Sequence, residues 1–323
     1  MTDPGRPRIL VVGAGSIGAR HARNLSAAGA EVALTDPDGD RAAAVAAECG
    51  GEVLAFDLDR LDGLGALDGA VVASPTSHHH HQAEALLATV PKVLVEKPIS
   101  LDATSAASLS SHADRVAVAY NLRFHQPIQR VVDLVDSGAA GTVSSVRLWF
   151  GSWLPDWRPA VDYRTTYSAR ADLGGGVLLD AIHELDLLVW LCGPGPHEVV
   201  GSVVARSGAL EIDVEDTVEA IVRTPDRVVA SVRLDYLARR YRRGMEITGS
   251  AATIRLDWAR EVIEVEDADE VRCEAADTPV AASYIRQAEA FVAWVAGGPA
   301  LPVDSVTGTA SVALADAIRQ AAR

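Results

Sequence analysis

The first 120 residues alternate short apolar runs with alanine-rich stretches of helical length. The apolar runs occur in RILVVGAG, EVALTD, GAVVAS, KVLVEK and RVAVAY, and the stretches between them include SIGARHARNLSAAG, DGDRAAAVAAECG and HHHHQAEALLATV. Strands that are separated by helices pair in parallel, because a parallel connection needs a long crossover. We therefore predict an α/β domain with a doubly wound parallel sheet over residues 1–122.

The pattern changes after about residue 122. The next segments are RFHQPIQRVVDLVDSG with helical periodicity, TVSSVRLWFGSW, which is typical of a strand, and GGGVLLDAIHELDLLVWL, which indicates a buried helix. Between about residues 197 and 273, runs that alternate apolar and polar residues indicate an antiparallel sheet with one covered face. We expect an α+β domain over residues 123–323 with an open, mainly antiparallel sheet. The two helices that close the chain could instead pack on the first domain.

Composition and charge narrow the class of protein. The chain has 323 residues, of which 49% are hydrophobic and 23% are charged, as in a folded globular protein. Its formal net charge of −15 argues against a nucleic-acid partner, which would select a basic face. We expect no membrane partner and a cytoplasmic location, because neither a signal peptide nor an apolar stretch of about 18 residues occurs. Cys49, Cys192 and Cys273 show no motif spacing, so we expect neither a disulfide framework nor a zinc site.

A glycine-rich turn, GAGSIG, follows the apolar run ILVV and opens the first helical stretch. In this G-x-G-x-x-G pattern, Gly13 permits the tight turn, Gly15 lets the backbone approach a pyrophosphate, and Gly18 allows close packing of helix on strand. Ser16 and Ile17 begin the helix, whose N–H groups and positive dipole end favour an anion. In its strand–turn–helix context the pattern predicts a Rossmann dinucleotide-binding site.

An acidic residue follows the glycine turn at the spacing that a dinucleotide site requires. Asp36 ends the second apolar run, 23 residues after Gly13, where a carboxylate can accept hydrogen bonds from the adenosine ribose hydroxyls. The same carboxylate would repel a 2′-phosphate, and no arginine immediately follows it. The sequence therefore favours NAD over NADP as the cofactor. A flavin dinucleotide is an alternative that the later motifs disfavour.

Five stretches together resemble one enzyme family. In chain order they are GAGSIGARHARNL, ASPTSHHHHQAEALL, VLVEKPIS, AYNLRFH and GGGVLLDAIHELD, and they span most of the chain. In these stretches the chain resembles the Gfo/Idh/MocA family of oxidoreductases. The resemblance implies an N-terminal Rossmann domain for a nicotinamide cofactor and a C-terminal α+β domain for the substrate. It also implies a homodimer or homotetramer formed through the outer face of the C-terminal sheet.

The resemblance assigns roles to individual residues. Lys97, at the carboxyl end of the fifth strand, matches the catalytic lysine, and Glu96 would lie near the nicotinamide ribose. Ser74, Pro75 and Thr76 match the family's loop that passes under the cofactor, and His79 matches the histidine that follows this loop. The hinge into the second domain is matched by Tyr120, Asn121 and Arg123. Of these hinge residues, Tyr120 and Arg123 are candidate substrate contacts.

The candidate acid and histidine depart from the common family spacing. Asp180 and His183 match the family pair, but they are three residues apart, whereas four is common in the family. The two spacings differ by about 100° in direction, but both keep the pair on neighbouring positions of one helix face. A local helix irregularity could restore the usual geometry. Asp186 is an alternative partner for the imidazole. A structural Asp–His pair that caps the GGG turn is the other interpretation.

These residue types suit the oxidation of an alcohol. A hydride leaves a carbon that bears a hydroxyl only if the hydroxyl proton leaves too, so the reaction needs an acid/base and a cation near the developing alkoxide. His183 is the candidate base, because imidazole titrates near neutral pH, and Asp180 could orient it. Lys97 could polarise the substrate oxygen or, if burial favours its neutral form, carry the proton itself. We expect the three side chains to converge on the reacting carbon.

Three other polar segments could either bind a ligand or serve only the structure of the fold. Consecutive helical side chains point about 100° apart, so the HHHH run, residues 78–81, cannot converge on one metal, and we predict no metal site. Segment 153–170 is either a sugar-binding loop or an irregular loop packed over the sheet, with candidate contacts Trp157, Arg158, Tyr163, Arg164 and Tyr167. The basic run 237–243 is a solvated strand edge or a contact for an anionic substrate or a neighbouring subunit.

The sequence therefore predicts an NAD-dependent oxidoreductase that acts on a secondary alcohol, or the matching ketone, of a sugar, cyclitol or sugar derivative. Two alternatives stay open. One is a non-catalytic NAD-binding sensor or regulator of the same fold, and the other is a redox-neutral enzyme that uses bound NAD transiently. The presence of Lys97 and His183 favours an enzyme over a sensor.

Overall fold

The computed structural model describes residues 5–54 and 65–322, which form two compact units. The first unit comprises the chain up to residue 124 together with residues 280–309. The second unit comprises residues 125–279 together with the segment that begins at residue 310. Each unit is therefore assembled from two separate stretches of the sequence.

A parallel sheet forms the centre of the first unit. In the described residues its strands are β1 (Arg8–Val12), β2 (Glu31–Thr35), β3 (Glu52–Val53), β4 (Gly69–Val72), β5 (Val93–Val95) and β6 (Val116–Val118). The spatial order β3-β2-β1-β4-β5-β6 places β1 between β2 and β4, with Val12 opposite Thr35 and Val72. Open α/β sheets bind ligands at the carboxyl ends of strands where the order reverses, which here is between β1 and β4. The predicted doubly wound sheet is confirmed.

Helices connect these strands and cover the sheet. They are α1 (Ser16–Ala27), α2 (Gly39–Cys49), α3 (Thr76–Leu87) and α4 (Ala103–Leu109). Asp38 caps α2 by accepting the N–H of Arg41 at 3.0 Å, and Asp102 caps α4 by accepting the N–H of Ser105 at 2.9 Å. The residues of β4 and β5 are all buried, as expected of parallel strands that are covered on both faces.

A mainly antiparallel sheet forms the centre of the second unit. The helices that precede or follow its first strand are α5 (Gln126–Asp136), α6 (Val177–Asp180) and α7 (His183–Cys192). The strands are β7 (Val143–Gly151), β8 (Glu198–Ala205), β9 (Thr217–Arg223), β10 (Val229–Asp235), β11 (Arg242–Gly249), β12 (Thr253–Asp257), β13 (Val262–Glu266) and β14 (Val271–Ala275). Their order is β14-β13-β12-β11-β7-β10-β9-β8, and β7 pairs in parallel with β10 while the other pairs described are antiparallel. The expected α+β architecture is confirmed.

One face of this second sheet is covered and the other is exposed. Along β7, Val146, Leu148 and Phe150 are buried, whereas Arg147 between them is exposed. Helix α7 packs against β7 and β10 and buries Leu185 completely. Burial of each such side chain contributes about 1.5–3 kcal/mol, so a register slip of one residue would expose the whole apolar set.

Two helices close the chain, α8 (Ala281–Val295) and α9 (Ser305–Ala321). Helix α8 contacts α1 and contributes Phe291 and Trp294 to the core that surrounds Ile9. The boundary between the units falls inside α9, whose C-terminal part belongs to the second unit. There Ser202 on β8 donates to the carbonyl oxygen of Ile318 at 2.6 Å. Within the described ranges, none of the helices has the length and apolar character that crossing a membrane requires.

Candidate functional site

The glycine-rich turn between β1 and α1 has the shape that a dinucleotide requires. Gly13 has a φ of +97°, and a Cβ on it would lie 2.8 Å from the carbonyl oxygen of Ala73. A Cβ on Gly18 would lie 1.8 Å from the carbonyl oxygen of Gly13, so the helix passes too close to the strand for any side chain. A Cβ on Gly15 would meet nothing within 4 Å, and no side chain caps α1 there. This open space beside uncapped N–H groups fits a pyrophosphate.

Asp36 lies just after β2, beside the glycine-rich turn. Its Oδ2 accepts the N–H of Ala14 at 2.7 Å, and its Oδ1 accepts the N–H of Asp38 at 2.8 Å. Oδ1 also accepts Nη2 of Arg41 at 2.6 Å. Burial alone would raise the pKa of Asp36, but the hydrogen bonds from Arg41 and the two amides outweigh burial and lower it. The sequence prediction considered the residue next to Asp36 and missed Arg41, the third residue of α2.

A buried carboxylate follows β5, next to the candidate catalytic lysine. Glu96 is 5% exposed, its Oε1 lies 2.7 Å from Nε2 of His21 on α1, and its Oε2 accepts the N–H of Lys97 at 3.1 Å. Burial alone would raise the pKa of Glu96, but the hydrogen bond to His21 and the charge of Lys97 outweigh it and lower that pKa. Lys97 is half-buried, and its peptide bond to Pro98 is cis. Sequence reasoning missed His21, although it follows Gly18 by three residues on α1.

The buried histidine of the HHHH run joins two loops of the first unit. His79 is 1% exposed, and its Nδ1 lies 2.7 Å from the carbonyl oxygen of Pro98. Its Nε2 lies 2.8 Å from the carbonyl oxygen of Ser74. Burial lowers the pKa of His79, against the opposing effect of the two carbonyl groups. The imidazole therefore connects the expected cofactor loop to the turn that follows Lys97.

The other predicted residues of the first unit differ in burial. Those with exposed or partly exposed side chains are Ser16, Ile17, Ser74 and Pro75, and those that are buried are Thr76, Tyr120, Asn121 and Arg123. Nδ2 of Asn121 donates to Oγ of Ser283 at 2.7 Å, which ties the segment after β6 to α8. Tyr120 is fully buried.

In the second unit, Asp180 accepts hydrogen bonds from two tyrosines. Tyr167 donates to Oδ1, and Tyr236 donates to Oδ2 at 2.7 Å. Burial and the charge of Asp180 raise the pKa of both phenols well above the ordinary value, so both remain protonated donors at neutral pH. The sequence pattern indicated Tyr167 as a substrate contact. It gave no signal for Tyr236, which follows β10 and is 56 residues from Asp180.

The single helix expected over the GGG segment is two helices. Helix α6 ends at Asp180, Ala181 has φ −97° and ψ +30°, and α7 begins at His183. The three-residue spacing of Asp180 and His183 therefore crosses a break, which is the kind of irregularity that the spacing left open. His183 is 8% exposed, and Asp186 is fully buried.

A buried ion pair holds the first turn of α7. Nε of Arg243 on β11 donates to Oε1 of Glu184 at 2.6 Å, and its Nη2 donates to Oε2 at 3.0 Å. Burial alone would lower the pKa of Arg243, but the charge of Glu184 outweighs burial and raises it. The preceding residue of the basic run, Arg242, pairs instead with Asp235 at 3.1 Å. The run 237–243 is therefore not a strand edge that is solvent-exposed along its whole length, because its last arginine, Arg243, is buried in the second unit.

A small pocket forms within the candidate substrate loop. It is lined by Leu154, Trp157, Arg158, Tyr163, Thr166 and Ser168. The ring of Trp157 packs edge-on against Tyr236 with centroids 5.3 Å apart, and the Arg158 guanidinium lies 5.8 Å from the ring centroid of Tyr167. Two residues that line the pocket, Trp157 and Arg158, therefore contact the two tyrosines that donate hydrogen bonds to Asp180.

The remaining arginine of the predicted set lies outside this pocket. Arg164 is exposed and pairs with Asp162 at 2.7 Å and with Glu211 at 3.0 Å. The nearby Arg239 lies 3.5 Å from the ring centroid of Trp153. Of the five predicted loop residues, Trp157, Arg158 and Tyr163 line the pocket and Tyr167 lies beside Arg158, whereas Arg164 is in an exposed ion cluster.

A second acid beside α6 was not predicted from the sequence. A Cβ on Gly176, whose φ is +107°, would lie 2.4 Å from Oε1 of Glu215, so only glycine leaves room for this carboxylate. Oε1 accepts the N–H of Leu178 at 3.2 Å. Burial raises the pKa of Glu215. In the GGG motif, Gly176 therefore both permits the turn and leaves space for the carboxylate of Glu215.

The parallel sheet, the glycine-rich turn and the acid after β2 define a dinucleotide-binding protein of the Rossmann class. Residues 7–124 match the oxidoreductase family with an NAD-binding Rossmann fold, and residues 128–255 match the GFO/IDH/MocA C-terminal domain. The chain therefore belongs to the Gfo/Idh/MocA family of oxidoreductases, and it is an NAD(P)-dependent enzyme of that family.

Named relatives and solved structures extend over nearly the whole chain. Inositol 2-dehydrogenase of Rhizobium meliloti (strain 1021) is 28% identical over 96% of this chain and 95% of its own. The dTDP-3,4-didehydro-2,6-dideoxy-alpha-D-glucose 3-reductase of Streptomyces antibioticus is 30% identical over 90% of this chain and 85% of its own. A 3-ketoreductase of Actinomadura kijaniata, solved with NADP and TDP-benzene, has a TM-score of 0.82 at 23% identity and covers 98% of both chains. A levoglucosan dehydrogenase, solved with NADH and levoglucosan, has a TM-score of 0.85 at 19% identity, covering 98% of this chain and 97% of its own. Both structures share the fold described above.

Proposed function

We propose that this enzyme uses NAD to transfer a hydride between nicotinamide and a secondary alcohol, or the matching ketone, of a sugar, cyclitol or sugar derivative. Its relatives support this substrate class, because they are named for inositol and for a deoxy-sugar nucleotide. The observation that carries the proposal is the buried contact between His21 and Glu96. It connects the helix that starts at the glycine-rich turn with the residue before Lys97, so the lysine is anchored to the nucleotide-binding helix.

We propose acid/base roles for Lys97 and His183. When bound, nicotinamide supplies the hydride acceptor or donor. Lys97 places a cation beside the substrate oxygen and polarises it or carries its proton, and His183 is the candidate base. Asp180 is proposed to act as a fixed carboxylate, because Tyr167 and Tyr236 occupy both of its oxygens. We propose that the substrate ring contacts the loop of residues 153–170, which carries Tyr167.

The test begins with Lys97→Met, which removes the amine and keeps much of the side-chain length. We expect turnover to fall about 10²-fold or more while NAD binding changes little, because the lysine acts on the substrate oxygen. Lys92→Met is the matched control, since Lys92 and Lys97 are the two lysines of the chain. Nζ of Lys92 donates to the carbonyl oxygen of Asp114 at 2.6 Å and lies 4.6 Å from the ring centroid of Trp294.

Turnover is measured as nicotinamide absorbance at about 340 nm with a panel of cyclitols and sugars, and NAD affinity is measured by calorimetry. Wild-type turnover in Lys97→Met would remove this lysine from the chemistry. If the wild-type protein binds NAD but turns over no polyol or ketone of the panel, the proposed substrate class is refuted. If bound NAD is reduced and reoxidised with no net change in nicotinamide, the redox-neutral interpretation is favoured.

We also propose that the enzyme forms a homodimer or homotetramer through the exposed face of its second sheet. Val203, Ile221 and Val229 are about half exposed on this face. Further along the sheet, Arg255 on β12 bridges Glu246 on β11 at 2.6 Å and Glu264 on β13 at 3.1 Å. Ile221→Arg should reduce the oligomer measured by light scattering coupled to size-exclusion chromatography. An unchanged mass distribution would argue against this interface.

We propose a cytoplasmic location for the enzyme. The three cysteines are free thiols in the structure, and Cys273 is exposed. Free exposed thiols suit a reducing compartment. Cell fractionation of a strain that expresses the tagged protein tests this proposal. If the protein is found in an oxidising compartment with Cys273 modified, the proposal is contradicted.

A further inference from the structure

The connection between β10 and β11 carries a concentration of positive charge. Residues 237–243, with the sequence LARRYRR, contain four arginines and no acid, so their formal charge is +4. Asp235 balances one of these charges, because it pairs with Arg242 at 3.1 Å. Glu184 balances another, because it pairs with Arg243 at 2.6 Å. Two positive charges of the connection are left after these ion pairs.

The two remaining arginines, Arg239 and Arg240, are adjacent and exposed. Neither of them pairs with a carboxylate of the residues that the structure describes. Other exposed arginines of this unit do, such as Arg130, which pairs with Glu274 at 2.7 Å. The guanidinium of Arg239 lies 3.5 Å from the ring centroid of Trp153. Because this contact uses the face of the guanidinium, the N–H donors in its plane remain available to a ligand.

The connection lies beside the loop that is proposed to contact the substrate ring. Trp153 is the first residue of this loop. The N–H of Ser152 donates to the carbonyl oxygen of Asp235 at 3.1 Å, so the loop starts against the end of β10. The N–H of Leu154 donates to the carbonyl oxygen of Tyr236, also at 3.1 Å. A ligand whose ring contacts this loop therefore has two guanidinium groups without counterions beside it.

We propose that Arg239 and Arg240 bind a phosphoryl group of the substrate, which is therefore a phosphate or diphosphate ester of a sugar. This inference rests on the proposed function and narrows its substrate class. Two guanidinium groups balance a phosphoryl group, which carries about −1.5 to −2 charge at neutral pH, whereas a carboxylate would balance only one of them. The planar N–H donors of arginine also match pairs of phosphate oxygens. Without such local cations, the formal net charge of −15 would disfavour an anionic substrate.

Three probes that share a sugar ring isolate the contribution of the phosphoryl group. They are glucose, glucose 1-phosphate and UDP-glucose, and the last two distinguish a phosphate monoester from a diphosphate ester. Their binding to the full chain is measured by isothermal titration calorimetry, which needs no turnover. The protein is first saturated with NAD, so that a phosphorylated probe does not bind at the glycine-rich turn.

The variants are Arg239→Gln, Arg240→Gln and the double variant, each of which removes charge and keeps a polar side chain. Arg240→Gln leaves the contact between Arg239 and Trp153 in place, so a loss in this variant does not come from a displaced loop. Arg227→Gln is the matched control. Arg227 is exposed in the turn before β10, at the other end of that strand, and it also lacks a carboxylate partner among the described residues.

We expect the wild-type protein to bind at least one phosphorylated probe about tenfold or more tightly than glucose, because charge-assisted hydrogen bonds are stronger than neutral ones. The double variant should lose about tenfold or more of this affinity, and Arg240→Gln should lose about threefold or more. Arg227→Gln should keep the wild-type affinity. The affinity for NAD should be unchanged in every variant.

The inference is overturned if the wild-type protein binds neither phosphorylated probe more tightly than glucose, or if the double variant keeps the wild-type affinity. If the double variant keeps that affinity but changes the mass measured by light scattering, the two arginines belong to a contact between subunits instead. Failure of the proposed function is seen separately, as absent NAD binding or as wild-type turnover in Lys97→Met. Neither of those results depends on Arg239 or Arg240.

Discussion

Replacing Glu184 by glutamine tests how the first turn of α7 is held. The substitution keeps the shape of the side chain and removes the charge that compensates the buried guanidinium of Arg243. The two side chains are 1% and 10% exposed, so water cannot replace the lost partner. Leaving one member of a buried ion pair uncompensated costs about 3–5 kcal/mol. We expect Glu184→Gln to lower the free energy of unfolding of the second unit by this amount, which is a large share of the roughly 5–15 kcal/mol typical of a folded protein.

The assay is urea unfolding followed by circular dichroism, with midpoint and slope fitted for each transition that the curve resolves. The matched control replaces both charges, as Glu184→Met with Arg243→Met, and should recover most of the loss because no unpaired charge remains. A second control, Arg130→Met, breaks the half-exposed pair with Glu274 and should cost no more than about 1 kcal/mol. The reasoning is refuted if Glu184→Gln unfolds within about 1 kcal/mol of the wild-type protein, or if the double variant is as unstable as the single one.

Two further predictions concern the buried carboxylates. Tyr236→Phe removes one of the two phenol donors to Asp180 and should lower the free energy of unfolding by about 1.5–3 kcal/mol, measured by the same urea titration. A change below about 0.5 kcal/mol would show that this hydrogen bond contributes little. The lowered pKa of Glu96 means that folding favours its ionised form, so the carboxylate stabilises the fold above its ordinary pKa of 4.5 and loses this effect as the pH falls through its lower folded pKa. The difference in melting temperature between the wild-type protein and Glu96→Gln should therefore be large near neutral pH and shrink below about pH 4.5, and a difference that does not vary with pH would contradict this.

Local patterns in the sequence predicted the nucleotide-binding half of the site. The turn 13–18, Asp36 and Lys97 all lie at the ends of apolar runs, and such runs show directly where parallel strands end. The alternation of apolar and polar residues likewise predicted the second sheet. It did not predict that β7 pairs in parallel with β10, because no local pattern records which strands become neighbours.

The partners that hold the site residues were not predictable in the same way. Tyr236 and Arg243 reach Asp180 and Glu184 across 56 and 59 residues of sequence, and an isolated tyrosine or arginine at a strand end carries no signal of its partner. Arg41 is only five residues from Asp36, but its direction depends on where α2 begins. The break between α6 and α7 also depends on tertiary packing, which overrides the helical periodicity of that segment.

The scarcity of lysine in this chain has a practical consequence for spectroscopy. Lys92 is held against an indole ring, and Lys97 is half-buried after a strand end, so the two amines have different magnetic environments. Reductive methylation with ¹³C-formaldehyde would give two side-chain signals that Lys92→Arg can assign. The protonation state of the methylated Lys97 amine could then be followed directly while cofactor and polyol are added.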